Sequence, residues 1–421
     1  MTSTTSCRKG FHEFLRTFAW SLKKRTGIIV LFSLLELITL PVIIILVLIA
    51  QISEAEVSSY FIQSDPAVLA ENLARVFTSS ISLLVPALIV PLSLLLALII
   101  AVILYRYMHQ KRSVDLFHSL PIGRIPLLSA QYLTGICTIL IPLLISFGVT
   151  MLLIPIFQLE LDSAIIGDIA AKFGWAAFLA IAAFTFSTLM AVCSGTTFDM
   201  VISTVVINIS YPITVFLVTT MITCILPGLN GLSPSALVLT AFSPFTAAFI
   251  PYTWNLFDGS VSTSFFDINF IVWWSALTLV MLAASLFLYY KRKSECAESH
   301  YAFAIPKNII RFIATAACGL GLGFILNLVA GTGTILFLVG VLFGSVAAHL
   351  IAEAIYSRGF SQFKKSLIPY AVFLVIFGVG FTGLSTGWFG TDTYIPDAEM
   401  CIRDRDNDKS GLPRCHLSCD R

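Results

Sequence analysis

The sequence predicts an all-α protein that crosses a membrane about nine times, and three observations lead to this fold class. Of the 421 residues, 57% are hydrophobic and only 11% are charged, whereas soluble domains carry about 25% charged residues. Nine segments are long and apolar enough to span a bilayer, and basic residues concentrate on alternate loops between them. Because so few charges cannot cover a water-facing surface, we expect a multi-pass membrane protein.

The nine predicted spans are apolar over about 20 residues or more, the length that crosses the hydrocarbon core. In chain order they are 27–50, 79–105, 126–156, 173–193, 200–226, 268–290, 310–329, 332–354 and 368–388. Prolines lie within several of them, among them Pro41, Pro86, Pro91, Pro142, Pro155 and Pro212. Since proline removes a backbone donor, we expect these helices to tilt or kink.

The distribution of lysine and arginine predicts the orientation of the chain. The N-terminal arm 1–26 contains six basic residues, the loop 106–124 four, the segment 291–311 five and the loop 355–367 three. The opposite loops contain only Arg75 and Lys172. Cytosolic loops of membrane proteins carry the excess of basic residues. The N-terminus is therefore predicted to be cytosolic.

The arm before the first span predicts a helix in the membrane interface. In "GFHEFLRTFAWSLKKR", residues 10–25, one helical stripe contains Phe11, Phe14, Leu15, Phe18 and Leu22, and basic residues border it. A helix with this pattern places its apolar face among the lipid head groups. The alternative is a basic tail without such a helix.

Motifs for catalysis and nucleotide binding are absent from the sequence. Without any Gly-Lys dipeptide, the phosphate-binding loop G-x-x-x-x-G-K-[ST] cannot be present. Most of the nine cysteines lie in apolar runs, and the spacing of Cys401, Cys415, His416 and Cys419 fits no common zinc site. We therefore predict no enzymatic activity, metal or cofactor for this chain. The pairs Gly319/Gly323 and Gly340/Gly344 indicate close contacts between helices.

Few polar residues lie within the spans. Glu36 is the clear mid-span acid, and it is either a structural polar contact or part of a translocation path. Asn208 is a second candidate for that path, although Asn208 and Tyr211 fit interhelical hydrogen bonds better. His349 and Glu353 are one helical turn apart and predict a polar pair at the cytosolic end of the eighth span, with Arg358 nearby. One histidine and one carboxylate are too few for a metal site.

The loop between spans two and three contains the stretch "VDLFHSLPIGR", residues 114–124. Its apolar side is formed by Val114, Leu116, Phe117 and Leu120, and its polar side by Asp115, His118 and Ser119. Pro121 disfavours helical geometry in the preceding residue. The pattern predicts about two turns of amphipathic helix on the cytosolic side. Such a helix either inserts its apolar ridge into a groove of another protein or rests on lipid head groups.

Together with the following "LLSAQYLTGICTILIPLL", this stretch resembles the first cytosolic loop and third span of bacterial ABC transporter permeases of the type-2, exporter-like class. More narrowly, it is similar to permeases of Gram-positive bacteria that read D-x-F-H-S-L-P there. The stretches "YYKRKSECAESHYAFAIPK" and "AHLIAEAIYSRGF" resemble the basic loop and a late span of the same proteins. The resemblance covers roughly residues 10–396.

The resemblance implies that this loop is a coupling helix docked on a separate ATP-binding cassette ATPase subunit. The contact residues carried over are Val114, Asp115, Leu116, Phe117, His118, Ser119, Leu120 and Pro121. ATP and Mg would bind to that partner, whose nucleotide cycle would rock the spans between inward- and outward-open forms. A second permease, identical or different, and membrane lipid complete the implied partners, with no nucleic acid. The implied location is the bacterial plasma membrane.

Members of this class commonly have six core spans, whereas nine are predicted here. We therefore divide the chain into a cytosolic arm 1–26, a six-span core 27–290, a basic cytosolic loop 291–309, three additional spans in 310–388 and an extracytosolic segment beginning at 389–396. Residues 397–421, "DAEMCIRDRDNDKSGLPRCHLSCDR", show no hydrophobic periodicity and are interpreted as a non-native tail.

The leading hypothesis is a permease subunit that exports a hydrophobic or amphipathic substrate, because the spans are apolar. One alternative is a self-contained secondary transporter or channel in which Glu36 titrates during transport. Another is a sensor or scaffold subunit of the envelope that transports nothing. In that case the helix at 114–121 only recruits a partner.

Overall fold

The computed structural model describes residues 3–59, 66–119, 122–225, 235–248, 268–299, 302–330, 334–357, 363–386 and 388. Over these ranges the protein is helical and contains no β-strand. Nine of its helical segments are long and apolar enough to cross a membrane. The predicted all-α, nine-span class is therefore confirmed. The segments 389–396 and 397–421, Arg358, Leu120 and Pro121 lie outside the described residues.

The helices are numbered here in chain order. They are α1 Ser3–Lys24, α2 Thr26–Leu37, α3 Ile43–Ser59, α4 Pro66–Leu84, α5 Val90–Tyr105, α6 Lys111–Ser119, α7 Arg124–Ile156, α8 Ser163–Cys193, α9 Thr197–Ile225, α10 Ala236–Thr240, α11 Pro244–Ala247, α12 Ile268–Lys291, α13 Ala304–Ala330, α14 Thr334–Ser357 and α15 Phe363–Ser385. Short 3₁₀ turns cover Arg106–His109 and Ser294–Cys296. The chain divides into two compact units, residues 1–201 with 247–302 and residues 202–246 with 303–421.

The candidate spans each overlap one that is predicted from the sequence. They are Thr26–Glu54, Val68–His109, Arg124–Ile156, Ser163–Cys193, Thr197–Ile225, Ile268–Lys291, Lys307–Val329, Thr334–Ile355 and Ser366–Ser385. The second contains 42 residues, which at 1.5 Å per residue gives about 63 Å, twice the hydrocarbon thickness of about 30 Å. The sequence underestimates its length because the first turns are amphipathic, with Leu73 and Phe77 buried and the exposed ion pair Arg75–Glu71 on the other face.

Two of the prolines lie at local irregularities in the helices. Pro41 falls in a π-helical turn, Ile38–Val42, and Pro86 in a second, Val85–Ile89. π-helical turns and prolines are the usual causes of sharp bends, because both interrupt the regular ladder of backbone hydrogen bonds. Pro142 and Pro212, in contrast, lie within continuous α-helical stretches.

The predicted helix in the N-terminal arm is present as α1, which packs against α7 in the first unit. The contact is made on a face with small polar residues: Ser21 is buried, and its hydroxyl donates to Oε1 of Gln131 at 2.9 Å. Phe14 and Phe18 are half-buried and their rings are stacked 6.5 Å apart. Leu15 remains exposed. Only part of the predicted apolar stripe is thus covered by the protein itself.

The core of the first unit is built around α8, which packs against α5, α7 and α12. The rings of Tyr105 and Phe184 lie 6.2 Å apart, and Phe184 also covers Gly135 of α7. A Cβ atom at Gly135 would lie 2.0 Å from the Phe184 ring, so a larger residue there would displace this buried ring. This packing brings the ends of α5, α8 and α12 together beneath α6.

In the second unit, α13 and α14 pack closely through the predicted glycine pairs. A Cβ atom on Gly340 would lie 2.7 Å from Cα of Gly323, and one on Gly344 would lie 2.5 Å from the carbonyl oxygen of Cys318. The prediction of small-residue contacts between helices is confirmed. α15 covers the same pair with aromatic residues, including Phe381, whose ring stacks 6.0 Å from Phe337.

Candidate functional site on the loop between spans two and three

A short helix occupies the loop between the second and third spans, as the sequence predicts. This helix, α6, contains nine residues, Lys111–Ser119. It follows the 3₁₀ turn at the end of the second span, and the carbonyl of Gln110 accepts hydrogen bonds from the backbone N–H groups of Ser113 and Val114. The side chain of His118 lies outside the description, as do Leu120 and Pro121.

The inward face of α6 is held by the chain itself. Val114 is only 4% exposed and borders a small pocket together with Met108 and Arg292. The ring of Phe117 lies 4.6 Å from that of Tyr107. Two apolar side chains that the resemblance assigns to a partner contact thus pack within this chain.

The outward face of α6 presents a different set of side chains. Leu116 is 64% exposed, and Asp115 and Ser119 are also exposed. Successive residues of an α-helix are rotated by about 100°, so Leu116 points about 200° away from Val114. Because Val114 and Phe117 are directed toward the underlying 3₁₀ turn, Leu116 is necessarily directed away from it. The exposed apolar surface of α6 therefore centres on Leu116.

Arg292 joins the segments beneath α6. Its side chain is buried and donates to three carbonyl oxygens, those of Ala191 at 3.0 Å, Val192 at 2.6 Å and Met108 at 3.0 Å. The first two belong to the last turn of α8, where carbonyl groups have no partner within the helix. Burial lowers the pKa of Arg292 from its ordinary value, but arginine stays protonated in proteins. One cation thus satisfies backbone acceptors of two separate segments.

His109 is a second buried link between the same segments. Its Nε2 lies 3.0 Å from the carbonyl oxygen of Ala191, and its Nδ1 lies 3.2 Å from the hydroxyl of Thr197. Because a carbonyl oxygen can only accept, Nε2 carries a proton. In the neutral ring, Nδ1 then accepts from the Thr197 hydroxyl. The ring therefore fixes the end of the second span against the turn between α8 and α9.

The loop after α12 folds back to hold the start of α6. Oε1 of Glu298 accepts from the backbone N–H of Lys111 at 3.2 Å, and Nζ of Lys111 lies 3.6 Å from Oε2. The N–H of Glu298 in turn donates to the carbonyl of Gly195 at 3.0 Å. A Cβ atom at Gly195 would lie 1.9 Å from the carbonyl oxygen of Ser299, so only glycine fits.

Sequence reasoning did not identify the residues that support α6. The sequence pattern does not distinguish Arg292 and His109 from the other residues of the basic loops. It does not single out Glu298 or Gly195 either. For three of them the available signal was position: Arg292, His109 and Gly195 lie within four residues of a predicted span end, where unpaired backbone groups need partners. Glu298 lies further along its loop and has no such signal. Which residues meet there depends on the packing of three spans, which one sequence does not specify.

Of the two candidates for a translocation path, Glu36 is the one whose side chain is not engaged in structural hydrogen bonds among the described residues. It is fully buried in α2, just before the π-helical turn, and neither carboxylate oxygen has a hydrogen-bond partner among the described residues. The hydroxyl of Ser33, one turn earlier on the same face, is likewise buried and unsatisfied there. Buried carboxyl groups are costly without a partner. Glu36 is thus an exception that calls for an explanation.

The other candidate, Asn208, forms structural hydrogen bonds within the second unit. Its Oδ1 accepts from the Ser243 hydroxyl at 2.9 Å and from the N–H of Phe245 at 3.2 Å, while its Nδ2 donates to the carbonyl of Thr204 at 2.8 Å. The hydroxyl of Tyr211 donates to the carbonyl of Val238 at 2.9 Å. The prediction that Asn208 and Tyr211 form hydrogen bonds between helices is confirmed.

The predicted His349–Glu353 pair has different partners in the structure. Glu353 forms a buried ion pair with Arg311 of α13, with Nη2 and Oε2 2.7 Å apart. His349 instead lies against Ser366, with Nε2 and Oγ 2.8 Å apart, and Ser366 also accepts from Arg311 at 3.0 Å. The pairing of His349 with Glu353 is therefore corrected, because a guanidinium from a neighbouring helix is the better partner for a buried carboxylate.

Comparisons with known proteins provide no family assignment. No protein family model, no curated protein and no solved structure matches this chain. Within the described ranges, no group of three or more histidine, cysteine, aspartate or glutamate residues could hold a metal ion. The functional interpretation depends on the geometry of the α6 loop and on the resemblance of its sequence.

Proposed function

We propose that this chain is the membrane-spanning permease subunit of an ATP-driven exporter in the bacterial plasma membrane. In this proposal a separate ATPase subunit, which binds ATP and Mg, contacts α6, and a second permease subunit completes the assembly. The observation that carries it is a short helix that exposes Leu116 while Val114 and Phe117 fix it to the transmembrane body. In this arrangement the chain supplies the translocation path and the helix α6 that transmits movement, and its partner hydrolyses ATP.

The supports of α6 are suited to transmit force. Val114 and Phe117 attach the helix to Met108 and Tyr107, at the end of the second span. Arg292 joins this same turn to the end of α8. A displacement of α6 by a partner is therefore passed to at least two long helices, because tightly packed elements move as units rather than deform. A helix that merely recruits a partner does not need this linkage.

Leu116 is expected to supply a large part of the contact energy. Full burial of a leucine side chain contributes about 1.5–3 kcal/mol, and about 1.4 kcal/mol corresponds to a tenfold change in affinity. Asp115 and Ser119 border Leu116 with polar groups, an arrangement that resembles the apolar centre and polar rim of protein interfaces. The cargo in this proposal is hydrophobic or amphipathic, because the spans are predominantly apolar.

The decisive experiment replaces Leu116 and leaves the inward face intact. Leu116→Ala is expected to weaken copurification with the ATPase subunit by about tenfold and to abolish transport in reconstituted vesicles, without changing membrane insertion. Leu15→Ala, at an exposed leucine of α1, is the matched control and is expected to behave like the unmodified protein. If Leu116→Ala binds the ATPase and transports at normal rates, the docking role is wrong.

Glu36 supports a second candidate function, a self-contained secondary transporter or channel. A fully buried mid-span carboxyl without a partner among the described residues is a ligand for a proton or cation in many transport proteins. This candidate requires transport in sealed vesicles that contain this chain alone, driven by an ion gradient and lost in Glu36→Gln. A complex that binds its ATPase but shows no substrate stimulation would instead favour a scaffold.

A further inference from the structure

A cavity of about 320 Å³ lies among α13, α14 and α15 in the second unit. This volume is at the lower end of the range for ligand pockets, about 300–1,000 Å³. Neither the coupling role of α6 nor the candidate path residue Glu36 involves this part of the chain. The cavity belongs to the three additional spans, to which the proposed transport cycle assigns no task.

One end of the cavity is polar and rich in hydrogen-bond donors. It is lined by Asn308, Arg311, Thr315, His349 and Tyr370. The Arg311 guanidinium is only 5% exposed and is held in place by Glu353 and Ser366. Glu353 itself does not line the cavity. Among the described lining residues, the cavity thus receives the cationic end of the ion pair and no carboxylate.

The rest of the lining is apolar and reaches an exposed face of α15. Phe312 and Phe373 meet there edge to face, with ring centroids 5.5 Å apart. Val372 lines the cavity and is 50% exposed, and Ile368, one turn earlier, is 69% exposed. Exposed aliphatic side chains of a membrane span face lipid tails. The cavity therefore joins a cationic polar end to the hydrocarbon region.

In the sequence, further basic residues adjoin those at the polar end. Lys307 precedes Asn308, and Lys364 and Lys365 precede Ser366 at the start of the ninth span. These residues belong to the basic segments that predict the cytosolic side. The cytosolic leaflet carries the anionic lipids, and basic pockets between transmembrane helices on that side recognise their head groups.

We propose that this cavity binds the phosphate head group of an acidic phospholipid from the cytosolic leaflet, such as phosphatidylglycerol. The phosphate lies at the polar end, where Arg311 and Asn308 can donate hydrogen bonds, because guanidinium groups match phosphate geometry. The acyl chains leave the cavity past Val372 and continue in the bilayer. The cavity holds a head group and the adjoining carbons but not a whole phospholipid. This site is independent of any ATPase subunit.

The test measures lipid binding to the purified full-length chain by native mass spectrometry. Both lipids carry the phosphate, but phosphatidylcholine adds a cationic choline group that the Arg311 guanidinium repels, so phosphatidylglycerol is expected to bind at least about tenfold more tightly. Val372→Trp fills the mouth of the cavity and is expected to lose this preference. Val375→Trp, one turn further along the exposed face of α15 and outside the lining, is the matched control and should retain it.

A second variant tests the charge without leaving the buried Glu353 carboxylate deprived of Arg311. Arg311→Gln combined with Glu353→Gln keeps hydrogen bonding between the two helices but removes the cation, so phosphatidylglycerol should bind no better than phosphatidylcholine. Equal binding of both lipids to the unmodified chain would overturn the proposal, as would a Val372→Trp variant that keeps its preference. Glycerol phosphate that binds as tightly as the lipid would overturn the membrane source of the ligand.

Discussion

Arg292 offers the most direct test of the segments that support α6, namely the end of the second span, the end of α8 and the loop after α12. We predict that Arg292→Met loosens the end of α8 locally while the spans remain inserted. The substitution removes the charged donor from the carbonyl oxygens of Val192 and Met108, whereas Ala191 keeps its bond to His109. A hydrogen bond to a charged group contributes about 1.5–3 kcal/mol. Two such losses, partly offset by water entering the loosened site, correspond to about 2–4 kcal/mol.

The assay follows a buried thiol next to these carbonyl groups. Cys193 is 2% exposed and directly follows Val192, so a thiol reagent reaches it only when this end of α8 opens. When reclosing is fast, the labelling rate is proportional to the population of the open state. A loss of about 2–4 kcal/mol therefore raises the rate by about thirtyfold to several hundredfold. The rate is measured by mass spectrometry of the labelled peptide.

Two comparisons make this result specific. Cys318, an exposed cysteine in the second unit, provides an internal control whose labelling rate should not change. Arg292→Lys should give an intermediate rate, because one ammonium group cannot reach oxygens on two segments as the guanidinium does. If Cys193 in Arg292→Met reacts as slowly as in the unmodified chain, the three carbonyl contacts do not hold the end of α8 to the end of the second span.

Two further predictions concern helix packing and the inward face of α6. Gly340→Ala should lower the midpoint of thermal unfolding in detergent, because the new Cβ meets Gly323 at 2.7 Å, whereas Gly378→Ala, with nothing within 4 Å, should not lower it; equal midpoints would contradict close packing there. Phe117→Ala should increase trypsin cleavage at the basic start of α6, because the contact with Tyr107 is lost. Unchanged cleavage kinetics would show that the ring does not hold the helix.

The spans could be predicted from the sequence because hydropathy depends only on local composition. A segment such as 126–156 is apolar whatever it packs against, and the structure has a helix over Arg124–Ile156. The same reasoning missed the first turns of the second span. There the amphipathic residues 68–78 continue the helix beyond the apolar stretch, and a search for uniformly apolar segments does not register an amphipathic helix.

The orientation of α6 could not be predicted for a different reason. An amphipathic pattern shows that one face needs an apolar surface, but not whether that surface belongs to the same chain. Here it is supplied by Tyr107 and Met108, at the end of the preceding span. With Val114 and Phe117 already packed, the exposed Leu116 becomes the informative position for mutation. The structure therefore changes the experiment that the resemblance alone would suggest.

The same limit applies to buried ion pairs. His349 and Glu353 are neighbours on one helix, but Glu353 pairs with Arg311, 42 residues earlier in the chain. A guanidinium at the start of one span and a carboxylate at the end of the next meet because antiparallel neighbouring helices bring these ends together. Such a pair depends on helix register, which one sequence leaves open.

Arg292 and Arg311 each contribute both a positive charge and a planar set of hydrogen-bond donors, and a count of basic residues records only the charge. Both contribute to the excess of positive charge that predicts the orientation, and both are buried and bind several acceptors. Lysine at either position preserves the charge, and thus the predicted orientation. It cannot reproduce the planar set of donors that reaches two acceptors at once. Orientation depends on the charge of these residues, whereas the support of α6 and of the cavity depends on the shape of the guanidinium.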